Sequence, residues 1–335
     1  MVERIVASSD GETMRRPAVL MADPRYFQIR GGANPHTRTE DDQLKEVDST
    51  VAWQQWHAYV DALLERGIDV YVAESGPDLT GMVFAANAGF LNGRLDDRPI
   101  DQKTFYPSHF AVEHRRGESA RFAEFFRRFG VPVADYDERW DFEGEADAFP
   151  VGRGDTLRWL FTWGFRTDPE VADWLQDDVV GDQMIRLELS DPRYYHGDTL
   201  LCDLGGPLLA YDGGLTDEAS RMLHDELGDR IVALEAEDAA DFIGNSFYVE
   251  VDEERYLFAP AAIRDELRAK IEQRGVEVVP VDISEFFGKG GGGPKCMVFN
   301  LGEVSRKNEG LEEGVRTFRQ RRHVESIRAR NGFPH

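Results

Sequence analysis

The sequence predicts an α/β fold in which one unit, several strands plus one helix, is used five times, enough to close a ring. Three observations predict it. An amphipathic helical stretch that stops at glycine and leads into a short apolar strand recurs along the chain. The marker glycines, Gly67, Gly130, Gly181, Gly228 and Gly275, settle into spacings of 51, 47 and 47 residues. Further strand-like runs lie between them. A fixed period of this size indicates one supersecondary unit repeated radially or in a stack.

The first unit has the clearest helix, at about residues 50–66, with Val51, Trp56, Tyr59, Val60, Leu63 and Leu64 on one face. Gly67 ends it and 68–72 follows as a strand. The second unit sets Phe122, Phe125, Phe126 and Phe129 before Gly130 and the strand 131–133. In the third, Val171, Trp174 and Leu175 precede Gly181 and 184–187. Met222, Leu223 and Leu227 precede Gly228 and 230–234 in the fourth. Ile263, Leu267 and Ile271 precede Gly275 and 276–279 in the fifth. The additional strands are expected at 157–162, 200–204, 246–251 and 255–258. A doubly wound sheet also alternates helices with strands. Extra strands per helix favour the ring, and no switch-point phosphate loop follows the first strand.

The 335 residues suffice for a full core. Residues 1–16 are expected to form a loose polar tail, 17–302 a single catalytic domain, and 303–335 an Arg-rich extension with Arg306, Arg316, Arg319, Arg321, Arg322, Arg328 and Arg330. The extension packs as a surface helix on the acidic body or meets a partner subunit, so homo-oligomerisation stays open. No apolar run is long enough to span a membrane, and the charged start (Glu3, Arg4, Asp10, Glu12) is unlike a signal peptide. A cytosolic protein is expected. There Cys202 and Cys296 are free thiols rather than a disulfide.

Formal net charge is −24. Lysine is confined to Lys45, Lys103, Lys270, Lys289, Lys295 and Lys307. Such a surface repels nucleic acid and anionic membrane, which excludes both as partners. It also suits high salt, where screening relieves self-repulsion. An ordinary acidic enzyme is the plainer alternative.

Cys296 ends a glycine-rich loop, Gly288-Lys-Gly-Gly-Gly-Gly-Pro-Lys, and precedes an apolar strand. Glycines admit close backbone approach to a ligand, and Lys295 beside the thiol is expected to lower its pKa. Read alone, it is equally a buried structural cysteine. A phosphate loop fails, because Pro294 and Cys296 stand where that motif needs Lys and Ser/Thr. His196, in Tyr195-His-Gly-Asp-Thr, is a candidate proton shuttle, with Asp198 on the same face if the segment is extended. The plain reading is a turn before a strand. Glu143, in Phe142-Glu-Gly-Glu-Ala-Asp, can hold an imidazolium or a guanidinium, or be one more acidic loop residue. Asn34 and Asn87 are uncharged polar residues in Gly/Ala-rich settings, and Asn34-Pro35 also reads as a turn. Cys202 reads as core.

Together the ordered motifs Phe84-Ala-Ala-Asn-Ala-Gly, Phe142-Glu-Gly-Glu-Ala-Asp, Gly164-Phe-Arg-Thr, Tyr195-His-Gly-Asp-Thr and Gly-Gly-Gly-Pro-Lys-Cys296 resemble the guanidine-modifying (pentein) superfamily, from about Asn34 to Leu301. That superfamily includes arginine deiminase, dimethylarginine dimethylaminohydrolase, arginine dihydrolase and the amidinotransferases. The resemblance implies a five-fold pseudosymmetric α/β propeller of ββαβ-type units with a central site. It implies a small arginine-like substrate, no cofactor and no metal. Cys296 would be the nucleophile, His196 the acid and then the base, and Glu143 the residue that orients His196. Asn34, Asn87 and Asp198 would contact the substrate, with Arg116 and Arg166 as its carboxylate clamp. Asn87 stands where the deiminase pattern has aspartate, so the chain resembles the arginine dihydrolase type, which continues from citrulline to ornithine. A carboxamide can serve both a guanidinium and a neutral ureido group. Asp198 leans away from dimethylarginine hydrolases, and Gly197 in place of the commoner leucine is expected to alter packing rather than chemistry. An amidinotransferase or a non-catalytic binding module are the rival readings. Product analysis with an added amine separates the first, and thiol reactivity the second.

Overall fold

The computed structural model describes residues 15–95, 98–136, 139–181 and 184–305, and in them one connection rule recurs. Strand β1 (Arg15–Ala22) is followed by helix α1 (Ser49–Glu65) and β2 (Asp69–Ala73), which lies parallel to β1. Strands β3 (Gly89–Asn92) and β4 (Thr104–Pro107) pair antiparallel, and α2 (Arg116–Arg128) leads the chain back beside β4. Strands β5 (Ala148–Val151) and β6 (Arg158–Trp163) pair antiparallel; α3 (Val171–Trp174), widened into a π-turn over Leu175–Val180, leads to β7 (Met184–Glu188), parallel to β6. Strands β8 (Leu201–Asp203) and β9 (Leu208–Ala210), helix α4 (Asp217–Leu227) and β10 (Ile231–Ala233) repeat the pattern. After the short α5 (Ala236–Ala240), so do β11 (Phe247–Val251), β12 (Glu254–Pro260), α6 (Asp265–Glu272) and β13 (Glu277–Val281). Helix α7 (Ser284–Gly290) then precedes β14 (Phe299–Ser305), which pairs antiparallel to β1 with Phe299 opposite Leu20.

Among the described residues the result is a mixed α/β fold of five sheets; four are an antiparallel pair followed through a helix by a parallel neighbour, and the β3–β4 sheet keeps only the pair. In the sheet holding β1, the antiparallel partner comes from the far end of the described chain. All five marker glycines sit between helix and final strand with positive φ, from 48° to 82°. There a Cβ would be strained. The expected strand 131–133 is reduced to one bridge, Phe105 to Val133. Pro132 offers only its carbonyl, which accepts the Phe105 N–H at 2.8 Å.

Helix α1 starts where Asp48 accepts the amides of Thr50 and Val51. It buries Trp56, Tyr59, Val60 and Leu63 against Val70, Val72, Phe258 and Val279. Each such side chain contributes roughly 1.5–3 kcal/mol by leaving water. The aromatic run of α2 packs Phe122, Phe126 and Phe129 onto Phe105 and Phe299. Among the described residues no helix is long and apolar enough to cross a membrane.

Of the expected end segments, Arg15 and Arg16 lie in β1 and residues 303–305 in β14. The rest of the tail and of the Arg-rich extension, including Arg306 to Arg330, falls outside the described residues.

Candidate active site

Five equivalent places in the fold supply the polar residues of one centre. Each is the turn that enters the first strand of a sheet's antiparallel pair. Asn87 lies in the turn before β3, Glu143 and Asp147 flank the turn before β5, and His196 and Asp198 sit at the turn before β8. Asn245 lies two residues before β11, and Cys296 three residues before β14. The turns pack so tightly that Gly144, at φ 68°, has no room for a Cβ against the carbonyl of Gly89.

Cys296 is 2 % exposed. Its amide donates to Asn245 Oδ1 at 3.1 Å, and its Sγ lies 3.7 and 3.8 Å from the Asp198 carboxylate oxygens. Asn245 in turn donates through Nδ2 to the Asp198 carbonyl at 2.8 Å, so one buried amide joins the thiol loop to the carboxylate turn. His196 Nδ1 is 2.8 Å from Asp147 Oδ2, and its Nε2 is 3.2 Å from Glu143 Oε2. Asn87 Nδ2 lies 3.1 Å from the same Nε2. Arg166 Nη1 donates to both Glu143 oxygens at 3.2 Å, its Nη2 reaches the Ala33 carbonyl at 2.6 Å, and its guanidinium lies over the Tyr195 ring.

Electrostatics divide the labour. Burial alone would drive His196 neutral, but Asp147 and Glu143 outweigh it and hold the imidazolium to about 9. Burial would raise Glu143, yet Arg166, His196 and Arg115 bring it to about 2. Asp198 is lifted by burial to about 6, against the opposing pull of Lys295 and His196. The Cys296 thiol is pushed well above its ordinary value by burial and by Asp198.

That last result corrects the expectation of a lowered pKa for the thiol beside Lys295. Lys295 Nζ pairs with Glu145 at 2.8 Å, and desolvation outweighs its residual attraction for a thiolate. Arg116 is a second correction. It is exposed and donates to the Phe110 carbonyl at 3.1 Å, whereas its buried neighbour Arg115 faces the centre. Arg115 donates to Asn87 Oδ1 at 3.2 Å and lies 3.8 Å from Glu143, anchored by Glu118 at 2.7 Å. Third, Asp198 does not continue a strand from His196: residues 197–199 form a tight helical turn. Glu143 shares the task of holding His196 with Asp147, which takes the opposite ring nitrogen.

Asn34 is fixed at both ends of its amide, Nδ2 donating to the Gly290 carbonyl at 2.9 Å. Its Oδ1 accepts the His36 amide to cap a turn, and it lines the cavity above the thiol. That cavity is bordered by Asn34, Phe84, Asn87, Arg115, Arg166 and Cys296. Gly197 fits its packing role, because a Cβ there would strike the Thr162 side chain. Cys202 is buried in an apolar cluster, its thiol facing the Ser246 carbonyl. Among the described residues no group of His, Cys, Asp or Glu side chains is placed to hold a metal.

The residues missed from sequence are Asp147, Arg115, Tyr195 and Asn245. The repeat held a signal for two of them. Asp147 and Asn245 enter β5 and β11 as Asn87 and Cys296 enter β3 and β14, so aligning the five units marks both.

A family model described as N,N dimethylarginine dimethylhydrolase, eukaryotic, matches residues 23–302. The chain is 31% identical over 291 residues to N(G),N(G)-dimethylarginine dimethylaminohydrolase of Mycobacterium tuberculosis, covering 86% of this chain and 87% of that protein. It is 29% identical over 296 residues to the bifunctional arginine dihydrolase/ornithine cyclodeaminase AgrE of a Nostoc species, covering 86% of this chain and 38% of that one. The chain thus spans 38% of the length of AgrE, and likewise of ArgZ from a Synechocystis species. In structure it resembles unliganded AgrE with a TM-score of 0.75 at 26% identity, over 87% of this chain and 40% of that one. A dimethylarginine dimethylaminohydrolase adduct with S-methyl-L-thiocitrulline shares the fold, with a TM-score of 0.63 at 19% identity, over 85% of this chain and 99% of that one. Matched along most of its length, this chain belongs to the N,N-dimethylarginine dimethylhydrolase family of guanidine-modifying enzymes.

Proposed function

We propose that the chain hydrolyses the C–N bonds of a guanidino or ureido substrate, taking arginine to citrulline and on to ornithine through a covalent adduct on Cys296. The observation that carries this reading is the floor of the cavity. There a buried thiol touches a carboxylate, within a cluster that also clamps an imidazolium between two carboxylates.

A guanidinium arriving between Glu143 and Asp198 brings the positive charge that the buried thiol lacks, and so favours the thiolate. The thiol proton passes to the Asp198 carboxylate, 3.7 Å from Sγ, and the thiolate attacks the guanidinium carbon. His196, already protonated at neutral pH, gives its Nε2 proton to the departing ammonia. The now neutral Nε2 can accept from Asn87 Nδ2, 3.1 Å away, and take a proton from water. That water's oxygen bonds to the thiouronium carbon, the C–S bond breaks, and the ureido product forms. Arg115 and Arg166 reach into the same cavity and are assigned to the substrate's carboxylate end; Arg115 takes the role first given to Arg116. For the second hydrolysis Asn87 presents a carboxamide to a neutral ureido group, and the likeness to AgrE and ArgZ supports this choice.

We infer further that the five sheets are blades about one pseudo-five-fold axis. Their shared connection rule and the five entering turns that supply one centre support this. The catalytic unit is assigned to residues 17–302 of a cytosolic, salt-adapted protein.

Dimethylarginine is the rival substrate, favoured by the relative at 31% identity. The test is a panel of arginine, citrulline, dimethylarginine and agmatine, scored for ammonia, methylamines and amino-acid product. Ornithine from both arginine and citrulline is expected. Dimethylamine from dimethylarginine with no ammonia from arginine replaces the dihydrolase reading with its rival.

A further inference from the structure

A second cavity shares no lining residue with the first. It is reached by following the same chain segments a few residues further on. Past Asn87 comes Arg94, past Asp147 comes Phe149 on β5, past His196 comes Cys202 on β8, past Asn245 comes Tyr248 on β11, and past Cys296 comes Asn300 on β14. The strands that carry the catalytic candidates at their entrances therefore line this space along their lengths. The two cavities approach each other at Cys296, which is bonded to Lys295 of the second and faces Asp198. Cys296 lines the first, Asp198 lines the second, and the thiol and carboxylate are 3.7 Å apart.

The second cavity has a mixed wall, with Leu95, Phe149 and Phe247 beside charged and polar groups. Arg94 and Lys295 border it and both pair with the buried Glu145, while Asp203 and Asn300 add further hydrogen-bonding groups. Arg94 is 6 % exposed, and among the described residues its Nε has no hydrogen-bond partner. A buried guanidinium nitrogen beside a cavity with such polar groups is the setting in which ordered water completes the hydrogen bonding.

The covalent reaction needs such water. While the adduct stands on Cys296, the remainder of the substrate occupies the front cavity, between the thiol and the mouth. Each C–S bond cleaved consumes one water at that moment. We propose that the second cavity is a water reservoir that feeds hydrolysis of the Cys296 adduct past Asp198, from the side opposite the substrate. The chemistry is that of the proposed hydrolase, on which this inference rests: oxygen bonds to the adduct carbon, a water proton passes to His196, and the electron pair of the C–S bond returns to sulfur.

Asn300 gives the means of testing it. Its neighbours Phe299 and Leu301 are buried in the core, so strand alternation turns Asn300 to the opposite face, where it borders the cavity. Asn300→Trp fills the space and Asn300→Ala enlarges it. Leu95→Trp crowds the same cavity from an exposed position, 40% accessible, where folding is least at risk. Adduct formation and decay are followed by rapid quench and intact-protein mass spectrometry with arginine. Asn300→Trp and Leu95→Trp should form the adduct at the wild-type rate but resolve it at least about tenfold more slowly, so that it accumulates. Asn300→Ala should match wild type in both phases. Should Asn300→Trp not fold, Leu95→Trp decides alone. Decay at the wild-type rate in the filled variants overturns the reservoir, and so does an equal slowing of both phases, which marks a damaged site. An adduct that never forms in the wild-type protein is a different failure, that of the hydrolase reading itself.

Discussion

Replacing Asp147 by asparagine probes how His196 is held. Asp147 accepts four hydrogen bonds: Oδ1 from the Thr162 hydroxyl and the Gly197 amide, Oδ2 from the Thr167 hydroxyl and His196 Nδ1. Asparagine keeps the shape but has one acceptor oxygen. The hydroxyls can reverse their roles, whereas the Gly197 N–H and the imidazolium Nδ1–H cannot. If the amide nitrogen faces Gly197, two donors oppose each other. If it faces His196, Nδ1 must give up its proton and the imidazolium is lost. Raising His196 from 6.5 to about 9 corresponds to about 3 kcal/mol at ~1.4 kcal/mol per tenfold, supplied by Asp147 and Glu143 against burial. Without Asp147, burial gains the upper hand and the ring is mostly neutral at neutral pH. Loss of a positioned general acid costs on the order of 10²–10⁴-fold in kcat, the range expected for Asp147→Asn. Stability should follow the same proton. Because the folded value lies above the unfolded one, His196 stabilises the fold fully below 6.5, and that stabilisation is lost as pH rises through about 9. The asparagine variant should flatten that alkaline loss. The assays are ammonia release against pH and urea unfolding on both sides of the transition. A kcat within about threefold of wild type, with the alkaline limb unmoved, refutes the clamp.

Cys296→Ala should remove turnover and Cys202→Ala retain most of it; comparable ammonia release from the two reassigns the nucleophile. Arg115→Ala leaves Glu118 charged and buried without its partner, and should cost about 3–5 kcal/mol in urea unfolding, whereas exposed Arg116→Ala should stay within about 0.5 kcal/mol. Equal losses contradict the assignment of the buried arginine. Asn87→Asp should stop the reaction at citrulline, because an ionised carboxylate offers the ureido oxygen no donor, at a cost of about 1–3 kcal/mol; chromatography showing ornithine at the wild-type rate clears Asn87. With a net charge of −24, the melting temperature should rise in molar KCl, where the Debye length falls to about 3 Å. A flat or falling curve removes the salt adaptation.

Periodicity made the scaffold legible. Gly67, Gly130, Gly181, Gly228 and Gly275 mark the same turn in every unit because each reverses the chain with positive φ, a demand that leaves its trace in residue identity. Cys296, His196, Glu143, Asn34, Asn87 and Asp198 were each found within a short motif, and the turns bring them together. What stayed hidden depends on direction rather than identity. Arg115 and Arg116 are adjacent, and one helical step of roughly 100° decides which faces the centre. Lys295 sits beside Cys296 in sequence yet spends its charge on Glu145, a partner 150 residues away. Asp147 closes the same acidic motif as Glu143, and only its four donors tell it apart from the other acids there.

The pairing of β14 with β1 also governs how the protein comes into being. Those strands sit at opposite ends of the described chain, with Leu20 opposite Phe299. A ribosome adding about 5–20 residues per second releases the first on the order of tens of seconds before the second. Through that interval one edge of β1 waits without its antiparallel neighbour, exposed to pairing with other chains. Cys296 is translated in the same last stretch, just before β14. The thiol reaches the ribosome exit after Asn245, Asp198 and His196 have left it, so a half-made chain lacks the thiol of the centre.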